Sequence, residues 1–275
     1  MSVPSVDEHL KAGRVEEALA TVRDSVRKEP AEPRFRRSLF QLLSVMGQWE
    51  KALTQLDVLA DMDAESMVMA HVFRRVIACE MLRADVFKGA RAPLILGEPQ
   101  EWMALLVHGN ALAACGKMRE AREIIDRALE KAPDVSGTIN GHPFEWIGDF
   151  DSRMGSVLEA IVEGHYYWVP FNRIARIEIS RPADLRDIVW IPTSFVWTNG
   201  GEAAGFIPVR YSESESSADG AIRMAGKTEW RDAGEGFYFG LGQRMFTTDT
   251  DEYPLLETQT VMLNHPEQPP AETTA

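Results

Sequence analysis

A chain of 275 residues, 45% hydrophobic and 26% charged, has room for about two domains and a sizeable core. Its formal net charge of −13 argues against nucleic acid and anionic membrane as partners, because both demand a basic surface. No apolar run reaches the roughly 18–20 residues of a membrane span, and Met1 to Leu10 lacks the basic start and apolar stretch of a signal peptide. The cytoplasm is the expected location.

From the N-terminus onward one spacing recurs. Residues 13–19 read GRVEEAL, and residues 47–53 read GQWEKAL, 34 residues later. A third copy, GKMREAR, starts at Gly116, two such periods plus one residue beyond Gly47. Pro30 and Pro133 each follow the Gly of their copy by 17 residues. A 34-residue period is that of a tetratricopeptide repeat, a pair of helices that stacks on its neighbours. Gly13, Gly47 and Gly116 suit tight links between paired helices, where a left-handed backbone is cheap only for Gly. Ala18, Ala52 and Ala121 let helices approach closely, and the two prolines end second helices. In the slot between the second and third copies, Met81 stands where Gly is expected. An irregular helix pair is predicted over residues 65–90.

The texture changes near Pro133. Before it, apolar residues recur at helical spacing, as in Val15, Leu19, Val22 and Val26. After Ile139 the chain turns aromatic, β-branched and rich in turn residues. Strands are predicted at 157–162, 166–170, 174–179, 195–198, 206–209, 237–241 and 255–262, with one helical turn at 184–188. Asn199-Gly200-Gly201 is a hairpin signal. Residues 212–220 read as a mobile loop, and 265–275 as a disordered tail. The fold class is α+β: tetratricopeptide-like helices over 1–134, then a mixed or mostly β domain over 135–264, with a small barrel as one option. A junction falls between Lys131 and Gly141, with Phe144 and Trp146 as possible packing contacts across it. The first part carries 19 basic against 21 acidic residues, the second 10 against 21. An acidic second half suits solubility or a basic protein partner.

Residues with chemical potential do not assemble into a site. Asp149 and Asp151 share one side of an extended segment, as a cation site would require. No Gly and distal Glu follow at calcium-loop spacing, so a loop cap is the expectation. His142 and His165 have no Cys or His at metal-ligand spacing. Gly240-Leu-Gly242 opens no helix, and Ser194 lacks the Gly-x-Ser-x-Gly frame of a hydrolase. Neither catalysis, metal nor cofactor is expected. Cys79 and Cys115 read as buried reduced thiols. Trp168, Trp190 and Trp230 read as core, and Arg186 and Asp187 as an internal ion pair.

The second half also carries dense strings: DFDSRMG from Asp149, YYWVPF from Tyr166, DLRDIVW from Asp184, FIPVRY from Phe206, KTEW from Lys227, GLGQRM from Gly240 and YPLL from Tyr253. In this order behind helical repeats, they closely resemble the ImpE family, also called SciE or TagJ, of accessory proteins of bacterial type VI secretion. The resemblance runs from about residue 5 to about residue 262. It implies a cytoplasmic, non-enzymatic adaptor. In that family's setting a ClpV-type AAA+ ATPase dismantles a contractile sheath for reuse. ImpE-like proteins are associated with that ATPase and with a short helix of the small sheath subunit. The resemblance brings no catalytic residues. The alternative is a stand-alone scaffold whose acidic β domain binds a small ligand or carries an unrecognised activity.

A concave tetratricopeptide face suits a helix or peptide. Counting back from Gly47 puts Arg34, Arg37 and Gln41 on that face. Counting back from Gly116 puts Met103, Leu106 and Asn110 there, and His71 and Arg75 line the irregular slot. For Arg34 and Arg37, together with Arg36, a solvated helix face, and for Met103 and Leu106 a place in the core, are the competing expectations.

Overall fold

The structure, a computed structural model, describes residues 5–98 and 100–265. The expected tail beyond His265 lies outside the described residues. Three helix hairpins form the first half: α1 (Val6–Lys11) with α2 (Val15–Lys28), α3 (Pro33–Val45) with α4 (Trp49–Ala60), and α6 (Glu101–Ala114) with α7 (Met118–Lys131). Gly13, Gly47 and Gly116 stand at their turns with φ of +69°, +63° and +76°. Helices α2 and α7 stop just before Pro30 and Pro133. The slot expected to hold an irregular pair is one 24-residue helix, α5 (Ala64–Phe87). No Gly or Pro lies within it, so nothing breaks it.

The second half is a sheet structure. Its strands are β2 (Gly137–Ile139), β3 (His142–Phe144), β4 (Ile147–Asp149), β5 (Val157–Val162), β6 (His165–Pro170), β7 (Ile174–Ile179), β8 (Trp190–Trp197) and β9 (Glu202–Pro208). Then follow β10 (Thr228–Gly234), β11 (Phe237–Gly242), β12 (Met245–Thr248), β13 (Glu252–Pro254) and β14 (Thr260–Leu263). The helical half contributes β1 (Leu94–Ile95), which pairs parallel to β6. The main sheet has the order β1-β6-β5-β9-β8-β7-β14-β2-β3, with β1 and β3 as its open edges, so it is not a closed barrel. Strands β13-β12-β4 and β10-β11 form two smaller sheets.

Two expectations fail locally. Residues 255–262 hold a 3-10 turn, Leu255–Glu257, between β13 and β14; Thr258 closes it, its amide donating to the Leu255 carbonyl and its hydroxyl to the Pro254 carbonyl. Residues 212–220 are anchored: Ser214 is fully buried, and its Oγ donates to the Tyr211 carbonyl and accepts from the Gly242 amide.

The sheet lies against the repeats. Alternate residues of β5 serve two cores: Val157 and Ile161 pack with the helices, while Leu158, Ala160 and Val162 pack on the opposite side. All six residues of β5 are buried. Phe73 of α5 sits 5.9 Å from Trp190 and 5.6 Å from Phe206, ring centre to ring centre, and Trp49 of α4 meets Trp190 at 5.8 Å. These aromatic contacts, rather than the expected Phe144 and Trp146, join the halves. Phe144 belongs to the far core and Trp146 is exposed.

Glu159, on the helix side of β5, is fully buried. Arg83 of α5 grips it with two hydrogen bonds, Nε to Oε1 at 2.6 Å and Nη2 to Oε2 at 2.9 Å. Arg244, from the β11–β12 link, pairs with both Glu159 and Asp149. The Tyr166 hydroxyl donates to Glu159, and Trp168 Nε1 donates to that hydroxyl at 2.7 Å. Arg83 also donates to the Arg210 carbonyl, and Arg210 donates in turn to the Val45 carbonyl at the end of α3. Burial pushes the Glu159 carboxyl up, but Arg83 and Arg244 outweigh it and hold it down at about 2. Burial wins at Asp149, which is pushed up to about 6 despite Arg244.

Two outcomes follow from these contacts. A Cβ at Gly47 would sit 2.5 Å from the Glu215 side chain, whereas one at Gly116 meets nothing within 4 Å. Gly47→Val should cost about 1–3 kcal/mol from backbone strain alone, and should melt below Gly116→Val, which bears the strain without the clash. Equal midpoints would mean that Glu215 yields freely. Glu159→Gln should cost about 3–5 kcal/mol near pH 7, because two buried guanidinium groups lose their shared anion. A carboxyl held below its ordinary value of 4.5 stabilises above that pH and ceases to do so as pH falls towards 2. The gap between parent and variant in denaturant titrations should therefore narrow below pH 4.5. A gap independent of pH would mean that packing, not charge, is responsible.

Candidate functional site

The structure separates the eight residues expected on a concave face. Gln41, Met103, Leu106 and Asn110 are buried, so in this fold they are not contact surface. The cause is that the chain's own sheet lies against the repeats. Asn110 shows it directly: its Nδ2 donates to the Arg153 carbonyl at 2.8 Å, tying α6 to the β4–β5 loop. Arg34 is exposed on α3, 3.7 Å from Glu32 and 4.6 Å from the Phe35 ring centre. Arg37 is half-buried. His71 and Arg75 are exposed on α5 and line a groove together.

That groove is built from α5 and the sheet. The inward side of α5, with Ala70, Phe73, Val76 and Ile77, packs into the core. Its outward side carries Met67, Val68 and Val72, which are 53%, 63% and 37% exposed. Three large apolar groups within six residues of one helix are an unpartnered patch, not scattered surface residues. Beside them is a 190 Å³ recess with His71, Val72 and Arg75 on one wall and Ile161, Ala204 and Phe206 on the other. Arg75 packs over the β5–β6 turn: a Cβ at Gly164 would lie 2.6 Å from its Nε.

The recess continues over the sheet. Ala204 also lines a 310 Å³ depression floored by Ser194 and Val196 of β8. Strand β5 stops pairing with β9 at Val162–Gly205, so Glu202, Ala203 and Ala204 pair with β8 alone. The groove thus has an apolar helix as one wall, a small-residue sheet as its floor, and Arg75 at its head. The sequence signal for it was three apolar residues on the polar side of α5. A helix pair over residues 65–90 divides that stretch between two helices and so conceals the stripe.

The strongly perturbed groups lie elsewhere. Asp149 accepts from the Tyr211 hydroxyl at 3.0 Å besides pairing with Arg244, and Asp151 pairs with Arg153 at 2.6 Å. The expected loop cap is present too, since Asp149 accepts from the Asp151 amide at 2.9 Å. Burial pushes the Cys79 thiol up to about 11, which leaves it protonated near neutral pH. Cys115 is exposed, unlike the expectation, because it lies at the end of α6 beside the Gly116 turn. Trp168 and Trp190 are fully buried, whereas Trp230 is half-buried against Phe150 and Tyr211. Arg186 lies 3.8 Å from Asp187 and 2.8 Å from Asp184. Among the described residues no three His, Cys, Asp or Glu converge as a metal would need, and no helix is long and apolar enough to cross a membrane.

Comparison with known proteins agrees with this architecture. An X-ray crystal structure of a protein from Vibrio parahaemolyticus superposes with a TM-score of 0.87, covering 95% of this chain and 98% of that one. At 24% identity it shows a shared fold. The sequence model of the ImpE protein family matches residues 141–262. The type VI secretion system accessory component TagJ of Pseudomonas aeruginosa strain PAO1 is 41% identical over 251 residues, spanning 91% of this chain and 88% of TagJ. With that identity over nearly the full length of both proteins, the chain belongs to the ImpE/TagJ family.

Proposed function

We propose that this protein is an accessory component of bacterial type VI secretion and works as a non-enzymatic adaptor in the cytoplasm. It binds a short amphipathic helix of the small sheath subunit and associates with the ClpV-type AAA+ ATPase that recycles the contracted sheath. Kinship to TagJ supports the secretion role. The observation that carries the docking role is the exposed Met67, Val68 and Val72 beside the open groove. An amphipathic helix buries one apolar stripe at i, i+3 and i+4 spacing, which suits a groove walled by a helix and floored by small side chains. Arg75 and His71 at the rim favour acidic residues on the flank of that helix. An adaptor without catalysis is further supported by the internal pairing of Asp149, Asp151 and Glu159.

Calorimetry with peptides tiling the small sheath subunit tests the docking role. One helical peptide should bind, and binding should weaken as salt rises. Val68→Glu with Val72→Glu should weaken it at least about tenfold, or ~1.4 kcal/mol. Exposed positions contribute little to stability, so the thermal midpoint should hold. Reversal of Arg34 and Arg37 to Glu distinguishes the repeat face from the groove, and should have the smaller effect. Binding unchanged in the Val68/Val72 variant, or no binding by any peptide, contradicts the groove as the docking site.

A further inference from the structure

We propose that a cavity at the junction of repeats and sheet binds a carboxylate carried on an apolar body, with Arg173 as its anchor. Arg173 ends the one-turn 3-10 helix Phe171–Arg173 between β6 and β7. It borders two openings. One is a 250 Å³ pocket with Leu96, Gly97 and Trp197. The other is a 710 Å³ cavity with Val135, Ala175, Leu263 and His265. Both are distinct from the α5 groove.

Charge singles this arginine out. Between residues 135 and 265 every other Lys and Arg, the exposed Arg181 apart, has a carboxylate or carbonyl partner. Arg173 has neither among the described residues, and its Nε is buried without a hydrogen-bond partner. The Asn172 Oδ1 at the same cavity is buried and unpartnered as well. In a half-chain with 10 basic and 21 acidic residues, a guanidinium without a carboxylate among the described residues does not reflect a shortage of acids, and it suits an anion from outside the chain.

The anchor is also held in place. A Cβ at Gly97 would lie 3.4 Å from Arg173 Nε and 3.7 Å from its Cδ and Cζ, so the side chain rests against a bare glycine. A guanidinium fixed by packing loses little further freedom on binding, and its fork matches a carboxylate with two parallel hydrogen bonds. His265 Nε2 lies 2.5 Å from the Ile174 carbonyl and so carries a proton, which fixes that ring in the cavity wall. Val135, Ala175 and Leu263 provide the apolar lining. Asp134, exposed on the rim, repels a second negative charge. A monoanionic carboxylate with a neutral or cationic far end meets these conditions, whereas a polyphosphate does not.

Two sources supply such a group, a small organic acid and a peptide C-terminus, and one titration separates them. Benzoate represents the first, and an acetylated apolar tetrapeptide with a free C-terminal carboxylate the second. Benzamide, the amidated tetrapeptide and inorganic phosphate are the controls. The readout is the NMR resonance of the Arg173 Nε–H in the full chain. At least one of the two carboxylates should shift it saturably, and the one that does identifies the source. The controls should not shift it. Arg173→Gln should weaken that binding at least tenfold, measured by backbone amide shifts of Ala175 and Leu263, with the thermal midpoint unchanged. Arg173→Lys, which keeps the charge but not the fork, should fall between. Failure of both carboxylates to bind, binding of phosphate alone, or equal binding by Arg173→Gln overturns the proposal.

Discussion

One buried carboxylate ties the molecule together. Glu159 sits at the centre of a strand that is buried on both faces, and it is held by an arginine from the repeats and another from the sheet domain. An isolated charge at that depth is prohibitive, so its position requires α5 and the β11–β12 link to be in place at once. Arg210 extends the constraint. Among the described residues no carboxylate pairs with it, and burial lowers it to about 10, yet it remains charged near neutral pH while it caps carbonyls at the end of α3. Replacing such a network by apolar side chains of equal volume is often neutral for stability. Its evident contribution is register, because only one placement of α5 on β5 satisfies all its members.

That placement changes what the repeats can do. A free tetratricopeptide array offers a concave surface. Here Trp168, Trp190 and Phe206 pack against the helices, and Gln41, Met103, Leu106 and Asn110 are drawn inside. The surface left for a partner moves to the outer side of α5, where the unbroken helix leaves Met67, Val68 and Val72 uncovered. The sheet also extends beyond the helices at β8 and β9, so one wall of the groove is sheet rather than helix. With the proposed docking role, stability and recognition would use opposite sides of one helix.

Local rules were legible in the sequence. The glycine period located three hairpin turns, and Pro30 and Pro133 located two helix ends. Strands β5 and β7 match their predicted limits. Asn140-Gly141, an equally legible hairpin signal, forms the β2–β3 turn with φ of +50° and +85°. Non-local facts were not legible. A Glu in the apolar run VLEAIV hints at a buried acid, but its two arginine partners lie 76 and 85 residues away in the chain. The 34-residue period suggested a turn near Met81, although an unbroken run of helix formers argued for one helix. The two-residue β1 lies inside the helical half and is too short to show a periodicity of its own; among the described residues it pairs with β6.

The central claim is that repeats and sheet form one cooperative unit locked at Glu159. Native-state hydrogen exchange tests it most directly. If the claim holds, amides of α3, α5 and β5 open with one common free energy and one denaturant dependence, and Glu159→Gln lowers all three together. Exchange of the repeat helices through a separate, lower-energy opening that leaves β5 protected would contradict it.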